Sequence, residues 1–129
     1  MTRRDEIVAA ARGCVGARFR PQGRDAALGL DCAGVAAIAF ARSVPDDYPP
    51  RGGDVDRIVA TIAAAGLRPI AAEAARAGDL LLLAAGPMQP HLVVLTDRGF
   101  VHADAGLRRV VETPGRPEGP MLGAWTEIG

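Results

Sequence analysis

Helical spacing of apolar positions characterises the first half of the chain. Thr2 can cap a first helix whose apolar face repeats at Ile7, Ala10, Ala11 and Cys14. Residues Ala33 to Ala41 are apolar or small on nearly every side, which is typical of a helix inside a domain. Asp54 can cap a third, amphipathic helix with apolar positions at Val55, Ile58, Val59 and Ile62. Three helices are therefore predicted before residue 66.

The second half changes to short apolar runs bounded by Gly, Pro or Asp, which are typical of buried strands. These runs are Leu80 to Leu83, Leu92 to Leu95, Phe100 to Ala103 and Val110 to Val111, and Met121 to Trp125 is predicted as an edge strand. Because helices come first and strands after, the pattern predicts an α+β fold. We expect N-terminal helices packed on one face of a C-terminal antiparallel sheet.

Two irregular connections rich in Gly and Pro separate the predicted helices. The first is an ordered loop from Ala17 to Leu30, with an extended piece at Arg18-Phe19-Arg20, and the second spans residues 45–53. The first loop leads directly to Asp31 and Cys32 at the start of the central helix. We therefore expect this loop to form one wall of any site at Cys32.

Length and composition are those of a globular protein. At 129 residues, the chain is expected to form a single domain over residues 1–129. Hydrophobic residues make up 49% and charged residues 23%, and the formal net charge is zero. The one-sided positive charge of a nucleic-acid-binding protein is missing, so we expect no nucleic-acid partner. The chain has no Lys, which excludes a lysine Schiff base, and its one Ser, Ser43, lacks the context of a nucleophile elbow.

The N-terminus shows no signal-peptide pattern, because two arginines are followed by two acids and the next apolar run is broken by Arg12. No stretch reaches the roughly 18 to 20 apolar residues of a membrane span. We expect synthesis in the cytoplasm and no membrane span, so that a role outside the cell needs a separate delivery route. Two cysteines are too few for a disulfide scaffold, although the sequence allows one disulfide bond between them.

Cys32 is the first candidate for chemistry. Asp31 can cap the central helix, which places Cys32 in its first turn. Unpaired N–H groups and a partial positive charge at a helix N-terminus favour the thiolate, so we expect the Cys32 thiol to ionise easily. The alternative is a buried packing cysteine, which is the role predicted for Cys14 inside the first helix.

The only two histidines, His91 and His102, fall on neighbouring predicted strands across the turn at Asp97-Arg98-Gly99. An even-length hairpin loop places both rings on one face at a diagonal backbone separation of about 7–8 Å, whereas a three-residue loop places them on opposite faces. With Cys32 they make the parts of a cysteine-nucleophile triad, in which the thiol and His91 share a proton and His102 orients His91. The alternative for each ring is a satisfied core imidazole.

Six short segments occur in a fixed order along the chain, and they include the motifs Asp-Cys-x-Gly, Gly-Asp-Leu-Leu and His-Ala: Ile7 to Arg12, Gly16 to Phe19, Gly29 to Val35, Ala77 to Leu81, His91 to Leu95 and Phe100 to Ala103. In order and spacing they resemble the NlpC family of bacterial cell-wall cysteine peptidases, over nearly the whole chain. Within that family the chain looks most like the small peptidases of tailed phages and gene transfer agents.

The resemblance implies a papain-like α+β fold, no cofactor, no metal, and hydrolysis of peptidoglycan stem peptides, commonly between γ-linked D-Glu and diaminopimelate. It implies Cys32 as nucleophile, His91 as general base and His102 as orienting residue, with Asp31 structural or beside the substrate. The implied partners are stem peptides and phage-like tail proteins, so delivery to the cell wall by a phage-like particle is expected.

Phe19 departs from the family pattern, which often has a Tyr there whose hydroxyl is thought to help bind the oxyanion. The Cys32 N–H can supply one donor, and Gln22 or Gln89 another. Arg20 joins Phe19, Gln22, Asp31 and Gln89 in the predicted substrate-binding set. Three alternatives stay open: a catalytically idle component of a phage-like tail tip, an acyltransferase or deamidase, and a metal site of Cys14, Cys32, His91 and His102.

Overall fold

The structure, a computed structural model, describes residues 1–48, 54–84 and 89–128. Three helices come first, with a short hairpin between the first two, and six strands follow. The helices are α1 (Arg3–Gly13), α2 (Cys32–Phe40) and α3 (Val55–Ala64), and the hairpin is β1 (Arg24–Asp25) and β2 (Gly29–Leu30). The later strands are β3 (Arg68–Ile70), β4 (Leu80–Ala84), β5 (Pro90–Leu95), β6 (Gly99–Asp104), β7 (Arg109–Pro114) and β8 (Met121–Thr126), with a 3-10 helix at Ala72–Ala74 after β3.

Each predicted helix begins at its predicted cap. The Thr2 hydroxyl accepts from the Asp5 N–H, and the Asp5 carboxylate accepts from the Thr2 N–H, which makes a reciprocal capping box. Asp31 and Asp54 accept N–H groups of the first turns of α2 and α3. The central helix ends at Phe40, one residue earlier than predicted, because Ala41 adopts the left-handed conformation with φ 55°.

The strands from β3 onward form one antiparallel sheet in the order β3-β8-β4-β5-β6-β7. The prediction of Met121 to Trp125 as an edge strand is wrong, because β8 lies between β3 and β4. The true edge, β3, is only three residues long and contains Pro69, so it lacks the apolar run that indicates a strand. The opposite edge, β7, extends well beyond the predicted Val110 to Val111.

The main core lies between the helices and one face of the sheet. Leu80, Leu82, Leu92, Val94 and Val101 pack there against α1, α2 and α3. Cys14 belongs to this core at 1% exposure, and its thiol donates to the Ala10 carbonyl, so its predicted structural role is confirmed. The other face carries a smaller cluster around Leu81, Val93 and Phe100, next to Ala72 and Ala75. None of the helices over the described residues is long and apolar enough to cross a membrane.

Candidate active site

The start of α2 is held by one carboxylate that accepts four hydrogen bonds. Asp31 Oδ1 accepts from the Gly34 N–H at 2.8 Å and from Arg24 Nη1 at 3.0 Å. Asp31 Oδ2 accepts from the Gln22 N–H at 2.8 Å and from the Tyr48 hydroxyl. With four donors and only 7% exposure, this carboxylate holds the helix start that carries Cys32. None of its oxygens is left free for substrate, which fits the structural role implied for Asp31.

Close packing also fixes this helix start against the loop that precedes it. A Cβ at Gly34 would lie 2.1 Å from the Gly23 carbonyl oxygen, and a Cβ at Gly23 would lie 2.2 Å from the Gly29 carbonyl oxygen. Both positions therefore require glycine. The Asp-Cys-x-Gly motif thus combines a cap, a thiol and a residue small enough for the loop to pass.

The Cys32 thiol differs from its expected state. Cys32 is half-buried, and burial raises the pKa of its thiol to about 11. The Leu92 N–H and the N–H groups of Ala33 and Cys32 act in the opposite direction. The prediction of an easily ionised thiol is wrong, because loss of water around the sulfur outweighs the donors of the helix start.

The two imidazoles are direct neighbours. β5 and β6 are joined across a four-residue turn, with Leu95 opposite Phe100 and Val94 opposite Val101. The ladder does not continue toward His91 and His102, whose rings instead hydrogen-bond, with Nε2 of His91 and Nδ1 of His102 2.8 Å apart. Their centroids are 5.0 Å apart and the rings are nearly perpendicular at 83°. The even-length loop therefore places the two rings together, as expected, and Nδ1 of His91 makes no hydrogen bond to any described residue.

Both histidines are neutral near pH 7. Burial, and next the neighbouring His102, lower the pKa of His91 to about 4, although the Asp104 carboxylate acts against both effects. Burial also lowers the pKa of His102. The hydrogen bonds of the two rings within the described ranges are to each other and to Thr113, and none joins the Cys32 thiol to His91. The prediction of a resting thiolate–imidazolium pair is therefore wrong.

Cys32, His91 and His102 line one open cleft of about 1430 Å³. Phe19, Tyr48 and Gln89 line the same cleft, as do the charged residues Asp104 and Arg108. The cleft joins the loop before α2 to the ends of β5 and β6. The thiol and both imidazole rings therefore belong to the lining of the same cleft.

Only some of the other predicted substrate-binding residues line the cleft. Phe19 lines the cleft, whereas Arg20 is exposed and lies outside its lining. The Gln22 side-chain amide donates to the Tyr48 carbonyl, so it is not aimed at the thiol. Gln89 is exposed and lines the cleft.

Sequence reasoning missed Tyr48 and Thr113. The Tyr48 hydroxyl donates to Asp31, and its ring lies over the Arg24 guanidinium at 5.3 Å. Thr113 Oγ1 lies 2.9 Å from Nε2 of His102. Thr113 is found from the sequence only when β7 is extended past Val111, whereas no local pattern indicates the contact between Tyr48 and Asp31.

The metal alternative does not fit the structure. Cys14 is in the core, away from the cleft that Cys32 and the histidines line, and both cysteines are free thiols. Over residues 1–48, 54–84 and 89–128, no group of three or more Cys, His, Asp or Glu side chains is arranged to hold a metal ion.

The sequence matches no model of a known protein family and no curated protein. Solved structures do match. The P60 domain of antigen MAP1204 from M. avium subspecies paratuberculosis superposes with a TM-score of 0.66 at 21% identity, over 98% of this chain and 96% of that one. This chain has the NlpC/p60 fold.

Two further structures show what proteins with the NlpC/p60 fold do. The NlpC/p60 domain of the peptidoglycan hydrolase SagA matches with a TM-score of 0.61 at 23% identity, over 86% of this chain and 88% of that one. RipD from Mycobacterium tuberculosis, a non-catalytic NlpC/p60 domain protein adapted to peptidoglycan binding, matches with a TM-score of 0.61 at 16% identity, over 99% and 98%. The fold therefore occurs in both hydrolases and non-catalytic proteins.

Proposed function

We propose that this chain is a cysteine peptidase that hydrolyses peptide bonds in peptidoglycan stem peptides. The observation that carries the proposal is the 2.8 Å hydrogen bond between the two histidines, in the cleft that also contains a cysteine at a helix N-terminus. Proteins with this fold include the peptidoglycan hydrolases SagA and RipB. In the proposed triad Cys32 is the nucleophile, His91 the general base and His102 the residue that orients His91.

Burial raises the pKa of the Cys32 thiol and lowers the pKa of His91, so both groups are uncharged near pH 7 and proton transfer accompanies attack. Cys32 gives its proton to Nδ1 of His91 as the sulfur attacks the substrate carbonyl, which forms a tetrahedral oxyanion. The N–H groups of Cys32 and Ala33, which already face the sulfur, are the donors for this oxyanion. His91 then protonates the leaving amine, and water attacks the thioester to release the second product and the free thiol.

Phe19 and Tyr48 supply no donor for the oxyanion in this arrangement. Phe19 has no polar hydrogen, and the only hydroxyl hydrogen of Tyr48 is donated to Asp31. Oxyanion binding therefore depends on backbone N–H groups, which the four hydrogen bonds to Asp31 hold in place.

The bond between γ-linked D-Glu and diaminopimelate is the proposed point of cleavage, and delivery to the cell wall by a phage-like particle is the proposed route. The cleavage is tested by incubating the protein with defined muropeptides in ¹⁸O-water and measuring product masses. Hydrolysis gives a new amine on diaminopimelate and one ¹⁸O in the γ-carboxyl of D-Glu. Cleavage at another bond contradicts the proposed specificity, and a transferred acyl group or released ammonia indicates the acyltransferase or deamidase alternative.

The second candidate is a catalytically idle component of a phage-like tail tip that binds peptidoglycan without cutting it. RipD has the same fold and is non-catalytic, and the raised pKa of the Cys32 thiol favours this candidate. It predicts that muropeptides bind and are recovered intact after prolonged incubation. Purification of phage-like particles from the host, followed by detection of this chain in them, tests the proposed delivery.

A further inference from the structure

The hydrogen-bonded pair of imidazoles continues into a hydroxyl group. Nε2 of His91 bonds Nδ1 of His102, and Nε2 of His102 bonds Thr113 Oγ1 at 2.9 Å. We propose that Thr113 is a positioning residue that fixes the tautomer of His102, and through it that of His91. The choice of tautomer rests on the proposed function, because proton transfer from Cys32 is what distinguishes the two proton arrangements, but the tautomers are measured independently of activity.

The strand geometry holds Thr113 in this position. β7 pairs with β6 along its whole length, with His102 opposite Val111 and Phe100 opposite Thr113. Thr113 is therefore the diagonal neighbour of His102 on the same face, which is within reach of side-chain contact. Phe100 also contacts the His102 ring, with ring centroids 4.8 Å apart. In this orientation of the His102 ring, Nδ1 has His91 as its partner and Nε2 has Thr113.

Three groups in a row allow two arrangements of protons. In the first, His91 carries its proton on Nε2 and donates to Nδ1 of His102, and His102 Nε2–H donates to Thr113 Oγ1. In the second, the Thr113 hydroxyl donates to Nε2 of His102, His102 Nδ1–H donates to Nε2 of His91, and His91 carries its proton on Nδ1. The two arrangements use the same heavy-atom distances.

Only the first arrangement supports proton transfer from Cys32. It leaves Nδ1 of His91 as an acceptor for the thiol proton, whereas the second blocks that nitrogen with a hydrogen. Once His91 is an imidazolium, its Nε2–H must donate to Nδ1 of His102, so His102 must carry its proton on Nε2 and Thr113 must accept it. Thr113 is half-buried, so its own hydroxyl hydrogen can still reach solvent while the oxygen accepts.

Two variants separate the hydroxyl from the shape of the side chain. Thr113→Val keeps the branched shape suited to a strand and removes the hydroxyl, and Thr113→Ser keeps the hydroxyl. We expect Thr113→Val to lower kcat on muropeptides about tenfold with KM little changed, because the lost acceptor supports the imidazolium and not ground-state binding. The kcat of Thr113→Ser is expected to stay within about threefold of that of the natural chain, because the serine hydroxyl keeps the hydrogen bond to His102. Equal losses in both variants, or an unchanged kcat in Thr113→Val, overturn the proposal.

A spectroscopic measurement tests the tautomers and does not depend on peptidase activity. The chain has two histidines, so ¹⁵N shifts of the ring nitrogens are readily assigned. At pH 7 we expect both rings to be neutral and protonated on Nε2. In Thr113→Val we expect His102 to populate both neutral tautomers. Protonation of His102 on Nδ1 in the natural chain, or identical shifts in Thr113→Val, overturns the proposal. If the tautomers are as stated and muropeptides remain intact, the proposed function fails and the positioning role stands.

Discussion

Removing the Asp31 carboxylate should destabilise the protein far more than removing an ordinary helix cap. In Asp31→Ala the cap of α2 is lost, which costs about 1 kcal/mol. The Arg24 guanidinium, whose side chain is 22% exposed, the Gln22 N–H and the Tyr48 hydroxyl also lose their acceptor. At about 1 kcal/mol for each such loss, the total reaches about 3–4 kcal/mol.

Asp54→Ala is the matched control. Asp54 caps α3 by accepting from the N–H groups of Asp56 and Arg57, and it is exposed with no further donors in the described part of the chain. Its loss should therefore cost only the cap, about 1 kcal/mol. Asp31→Asn should fall between the two variants, because Asn still caps well but carries no charge for Arg24.

Guanidinium unfolding of the natural chain and the three variants gives the free energies of unfolding directly. For a chain of this size, the expected difference of about 2–3 kcal/mol between Asp31→Ala and Asp54→Ala corresponds to a melting temperature about 10 °C lower. Equal losses in the two variants would refute the reasoning that Asp31 joins the loop, Tyr48 and the helix start. They would also remove the basis for a rigidly held Cys32.

Two further perturbations test the packing and the electrostatics of the same region. Gly34→Ala should destabilise the protein by about 2 kcal/mol or more, because its Cβ would lie 2.1 Å from the Gly23 carbonyl oxygen. Gly13→Ala should stabilise the protein by about 0.5 kcal/mol, because nothing lies within 4 Å of its Cβ. Thermal unfolding that ranks the two variants the other way contradicts this packing. The pKa of His91 falls from 6.5 to about 4 on folding, so protons bind the unfolded chain preferentially between these values and stability should decrease by about 2 kcal/mol as the pH falls from 6.5 to 4.5. His91→Phe should reduce this loss of stability. If the unfolding free energies of His91→Phe and the natural chain depend on pH in the same way, the pKa of His91 is not lowered by folding.

Local signals in the sequence predict the elements that end at clear caps and apolar runs. The starts of all three helices follow from Thr2, Asp31 and Asp54, and the neighbouring rings of His91 and His102 follow from a turn of even length. These features depend on residues close together in the chain, so spacing alone reveals them.

The features that spacing does not reveal depend on contacts between distant residues. β3 is too short to be recognised and exists because β8 offers it a partner. The contact of Tyr48 with Asp31 joins residues 17 positions apart through an irregular segment. The raised pKa of Cys32 depends on burial of the sulfur by the surrounding fold, which opposes the helix-start effect that the sequence does show.

Whether Cys32 is the nucleophile is decided by comparing cleavage of a defined muropeptide by the natural chain, by Cys32→Ala and by Cys14→Ala. We expect the natural chain and Cys14→Ala to release the same products, because Cys14 is a core residue with no part in the reaction. Cys32→Ala should fold and release none. Cleavage by Cys32→Ala, or no cleavage by the natural chain, would contradict the claim that Cys32 is the nucleophile of a peptidase.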